Sequence, residues 1–65
     1  MSWHYQLMKH TEHNGEVWYG IHELYDGIGY TIEPRTVRGE DIEDIKWVLE
    51  TMLEDVEKHG VKDYV

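Results

Sequence analysis

The longest periodic run of apolar positions lies in the last third of the chain. Ile42, Ile45, Val48, Leu49, Met52, Leu53 and Val56 recur at spacings of three and four, which gathers them into one broad stripe of a helix. Asp41 suits the N-cap, with Asp44 three residues on, and Lys58, His59 and Gly60 suit the other end. The spacing predicts a helix over about 41–58.

Upstream the period shortens towards two. Residues 3–10 (WHYQLMKH) and 17–25 (VWYGIHELY) combine β-favouring rings with partial alternation, and Asn14-Gly15 between them is a strong hairpin signal, because both residue types accept positive φ. A three-residue loop, His13-Asn14-Gly15, sets Leu7 opposite Ile21 and Lys9 opposite Tyr19. Trp3, Tyr5, Leu7, Val17, Tyr19, Ile21 and Tyr25 then share one face, whereas a two-residue loop would set Leu7 against His22. A second tight turn at Asp26–Gly29 leads to a short strand, 30–33, which Pro34 ends. The expected fold class is α+β, a single domain over 1–65: a three-stranded antiparallel β-meander with one C-terminal amphipathic helix packed on its apolar face. The tail, Val61 to Val65, is expected to dock or fray.

Size sharpens this picture. A chain of 65 residues buries only about 60% of the surface that it exposes when unfolded, and such a core supplies roughly 3–5 kcal/mol. With no cysteine, disulfides, thiolate chemistry and cysteine-type zinc sites are excluded, and association with another chain is the readier source of stability. The first residues lack the basic and apolar regions of a signal peptide, and no apolar run reaches the 18 or so residues of a membrane span, so a cytoplasmic chain is expected. Fourteen acidic against six basic residues give a formal net charge of −8, which disfavours direct nucleic-acid and anionic-membrane contact and favours a partner with a basic surface.

The rings are the other unusual feature: three Trp and five Tyr, but no Phe. Rings with polar tips suit half-wet surfaces and interfaces as well as a dry core. Trp47 points away from the helical stripe, beside Glu43, Glu50 and Glu54, and is the first candidate for a partner-binding anchor. The alternative is coverage by the tail, Tyr64 or Val65, or by the stems of Lys46 or Lys58. The acids around it form either a solvated face or a docking surface that mimics nucleic acid. On the second sheet face lie His4, Met8, His10, Trp18 and His22, with Gln6 and Leu24, and a gap at Gly20 opposite Met8 where a ring can enter. No predicted element covers this face, which makes it the candidate oligomer or ligand face.

Catalysis and metal binding find little support. Ser2 is the sole serine, no Gly-rich loop precedes the helix, and His22 and Glu23 point to opposite faces of a strand, so no nucleophile, base and orienting group can be assembled. His4 and His22 are expected as diagonal neighbours, without the further spaced ligands that zinc sites show. No catalytic residue, metal or cofactor is expected.

The stretches Ser2-Trp3-His4-Tyr5, Val17 to Tyr25, Tyr30 to Pro34 and Lys46 to Leu53 resemble a family of short bacterial and phage proteins, one that implies no activity; this chain is shorter at the Asp26–Gly29 turn. The strands-then-helix order is similar to HicB-like antitoxin folds at the level of topology. The expected function is that of a small acidic regulator or inhibitor, of phage or mobile-element origin, that is no enzyme and occupies a host protein's surface, such as a defence component; it is expected to be a homo-oligomer. An antitoxin that neutralises a basic toxin shares that physics. The alternative is an oligomer that sequesters a small nucleotide or signalling ligand, against which stand the few cations, Lys9, Arg35 and Arg38.

Overall fold

The computed structural model describes residues 2–64. It is α+β: a curled, mixed four-stranded sheet with one helix. The elements are β1 (Trp3–Thr11), β2 (Val17–Tyr25), β3 (Gly29–Tyr30), α1 (Ile42–His59) and β4 (Val61–Asp63), and the strand order is β3-β2-β1-β4.

The first hairpin has the expected register, with Leu7 opposite Ile21 and Lys9 opposite Tyr19. The Glu12 N–H donates to the Glu16 carbonyl and the Gly15 N–H to the Glu12 carbonyl, which leaves 13–15 as a three-residue loop. Gly15 closes it at φ 89°, a conformation that a Cβ would oppose. The Asp26–Gly29 turn follows, but β3 has only two residues and the expected strand through Glu33 does not form. The reason lies in β2. His22 Nδ1–H donates to the Thr31 carbonyl at 2.7 Å, and the Thr31 hydroxyl accepts from the Glu23 N–H at 3.2 Å. These bonds bend the chain after Thr31, and Arg35 N–H rejoins β2 at the Ile21 carbonyl.

The tail corrects the meander. Gly60 caps α1, its N–H donating to the Val56 carbonyl, and β4 then pairs in parallel with β1, Leu7 to Val61 and Lys9 to Asp63. Fully buried Gln6 ties this joint: its amide nitrogen donates to the Gly60 carbonyl at 2.8 Å. Where β4 does not reach, the Asp55 carboxylate accepts the Tyr5 N–H at 2.9 Å and takes the place of a strand neighbour.

The helix is not the lid that the pattern predicts. It begins and ends within one residue of expectation, and the Asp41 carboxylate accepts the Asp44 N–H at 2.9 Å, yet it packs chiefly along β1. Met52 is buried, and Ile45, Val48 and Val56 are half-buried, whereas Ile42, Leu49 and Leu53 of the same stripe stay exposed. Over β2 the expected apolar face is open at Val17 and Tyr19. The most buried side chains are instead Met8, Gln6 and His22, on the opposite face of the sheet.

Candidate functional site

Two places gather the residues in question. The first is the face of His4, Met8, His10, Trp18 and His22, where the expectation of an open surface holds for Trp18, 39% exposed, and is corrected for Met8, His10 and His22. Met8 and His22 are buried, as is His10, because the bent segment after Thr31 and the C-terminal tail both fold over them. Tyr64 continues β4, its N–H bonded to the Lys9 carbonyl, and lays its ring on His10 at 4.2 Å between centroids, while Trp18 stacks on His10 at 3.8 Å. The gap at Gly20 is filled by Pro34. A Cβ on Gly20 would lie 2.8 Å from the proline Cγ, so the ring expected from a ligand is supplied by the chain itself.

Within this cluster His10 and His22 bond through their Nε2 atoms at 2.8 Å. Since His22 Nδ1–H donates to the Thr31 carbonyl, neutral His22 offers Nε2 as acceptor and His10 Nε2–H is the donor. Burial, and then the neighbouring His22, push the His10 imidazole below its ordinary value of 6.5; Glu12, which accepts the Trp18 indole N–H at 2.8 Å, acts in the opposite sense. The register sets His4 diagonal to His22 as expected, but the His4 side chain engages other partners. Its Nε2–H donates to Gln6 Oε1 at 3.0 Å, and its ring stacks on His59 at 3.6 Å. Among the described residues no group of three or more His, Asp or Glu is placed to hold a metal ion. The cluster is a polar core, rimmed by the exposed Trp18, in which the His10 and His22 imidazoles are held by aromatic faces and defined hydrogen bonds.

The second place is the N-terminal half of α1. Trp47 is 60% exposed. Coverage by the tail is corrected, for Tyr64 lies across the sheet on His10; Val65 is outside the described residues. Glu43, Glu50 and Glu54, at i−4, i+3 and i+7 from Trp47, share its side of the helix and are exposed. Glu43 meets Lys46 at 3.7 Å, a solvated pair of little energetic weight. Beside the indole a cleft of about 530 Å³ opens between the connector and the helix, lined by Arg38, Gly39, Glu40, Asp44, Trp47 and Val48.

The connector is set close to the helix by two features. The Asp44 carboxylate accepts the Glu40 N–H at 3.2 Å while the Asp44 N–H donates to the Asp41 carboxylate, and Gly39 approaches so near that a Cβ would come within 2.7 Å of the Asp44 Cβ. The cleft thus presents one indole face, two carboxylates and one guanidinium to solvent. That set can stack on and neutralise a cationic side chain. Its lining by Arg38, Gly39 and Glu40 was not foreseen, because only the fold brings the connector beside Trp47.

Comparison with protein-family models, with curated proteins and with solved structures finds no match. Among the described residues no helix is long and apolar enough to cross a membrane.

Proposed function

We propose that this chain is a small acidic protein-binding regulator that occupies a basic surface on another protein, with Trp47 as its anchor. One observation carries the reading: a large indole stands exposed at the rim of a cleft whose other polar groups are mainly carboxylates, in a chain of net charge −8. An Arg or Lys side chain of the partner would stack on Trp47 and meet Glu40 or Asp44, while Glu43, Glu50 and Glu54 face the cations around it. Such charge complementarity speeds encounter and selects basic partners. Inhibition then follows from occupancy alone, without chemistry.

The test is affinity capture from native cells with the intact chain, Trp47→Ala and the triple variant Glu43→Gln, Glu50→Gln, Glu54→Gln side by side. A discrete basic protein held by the intact chain and released from both variants supports the proposal. Retention of the same protein by both variants, or co-purification of a nucleotide in its place, contradicts it.

A further inference from the structure

The helix leaves part of its own apolar stripe unused. Ile42 is 72% exposed, Leu49 50% and Leu53 60%, and at 100° per residue the three lie within about 40° of one another, next to the half-buried Ile45 and Val56. The stripe runs 42, 45, 49, 52, 56, the alternating three and four spacing of a helix–helix seam, of which the chain's own sheet covers only one flank.

The size of the molecule says how much cover is missing. A folded monomer of this mass, 7.8 kDa, exposes about 4,400 Å² on the general scaling of area with mass, and this chain exposes 5118 Å². The surplus, roughly 700 Å², is close to the ~800 Å² that each partner contributes to a standard interface. The shape agrees. The radius of gyration is 12.7 Å, against about 10.7 Å for a compact chain of this length, and the long dimension is 39 Å.

We propose that the missing cover is a second copy of this chain, packed through Ile42, Leu49 and Leu53 in an antiparallel two-fold pair whose axis passes near Leu49. A two-fold contact needs a self-complementary patch, which this stripe provides: Ile42 of one copy falls towards Val56 of the other, and Leu53 towards Ile45. The flanking charges suit that direction, since Lys46 of one copy is brought beside Glu50 of the other. Trp47 lies about 160° around the helix from Leu49, so its cleft stays open in the pair.

Sedimentation equilibrium at submillimolar concentration tests the pair, together with single-cysteine variants in this cysteine-free chain. The intact chain is expected at twice its mass, and Leu53→Glu is expected to weaken association at least about tenfold with an unchanged helical circular-dichroism signal. Under mild oxidation Leu49→Cys is expected to form a disulfide-linked pair, and Tyr19→Cys, exposed on β2, to remain a thiol. Should Leu53→Glu unfold, the Leu49→Cys result decides. An intact chain that stays monomeric, or cross-linking through Tyr19→Cys with none through Leu49→Cys, overturns the proposal.

Discussion

At the scale of single residues the most constrained pair is His10 and His22. Their shared Nε2 bond works with one proton between the rings, and the Thr31 carbonyl fixes which ring gives it. The groups facing His10 are Trp18, Tyr64 and His22, with Glu12 bonded to the Trp18 indole. Because the folded-state pKa of His10 is depressed, the unfolded chain binds the proton first as pH falls. Stability is therefore full above about 6.5 and declines as pH drops through that value towards the lower folded-state pKa. His59, lowered by burial and by His4, contributes in the same sense. Urea midpoints at pH 7.5 and 5.5 are expected to show this fall. His10→Phe keeps a ring between Trp18 and Tyr64 but removes the donor to His22, and should cost about 1–3 kcal/mol at pH 7.5 while flattening the pH dependence. A variant as stable as the native chain, with the same dependence, would show that the pair does not hold this face together.

At the scale of elements, two joints set the architecture. Gly20 lets Pro34 lie on β2, where the Arg35 N–H bonds the Ile21 carbonyl at 2.7 Å and Arg35 Nε pairs with Glu23 at 2.7 Å. Gly20→Ala pushes a methyl into the Pro34 ring and should lose about 1–3 kcal/mol in chemical denaturation. Asp41→Ala removes the cap on the Asp44 N–H and should cost about 1 kcal/mol, read by the same melt. The hairpin and the helix were legible because their signals are local: Asn14-Gly15 fixes a loop, Leu7 and Ile21 fix a register, and Asp41 and Gly60 mark helix ends. Three features were not. Val61-Lys62-Asp63 has no apolar alternation, and its parallel pairing with β1 depends on where the helix delivers it. Tyr30 to Glu33 reads as a strand, but a histidine ring nitrogen on β2 captures the Thr31 carbonyl and bends the chain away. A second buried layer also departs from expectation: Tyr5 and Met52 are buried as the pattern predicts, but Tyr64 and Pro34 cover the other face of the sheet, for which the pattern offers no helix.

At the scale of the whole molecule, burial and charge divide the rings into two groups. His10, Tyr30 and Tyr64 close one sheet face against the chain itself, with Trp18 stacked on His10 yet exposed along its outer side, whereas Trp47 and the Ile42, Leu49, Leu53 stripe lie on solvent. Trp47 was legible from helical spacing alone, and the cleft beside it was not, because Arg38 to Glu40 reach it only through the close approach at Gly39. On the proposals above, the acidic surface predicts partner binding that weakens with added salt and self-association along the apolar stripe that strengthens as like charges are screened. The most direct test of a contact-making protein anchored on Trp47 is the equilibrium affinity of the captured partner for the intact chain, for Trp47→Ala and for Tyr19→Ser on β2. The indole as anchor predicts at least a roughly thirtyfold loss, about 2 kcal/mol, for Trp47→Ala and no change for Tyr19→Ser. Equal affinity for Trp47→Ala and the intact chain would contradict it.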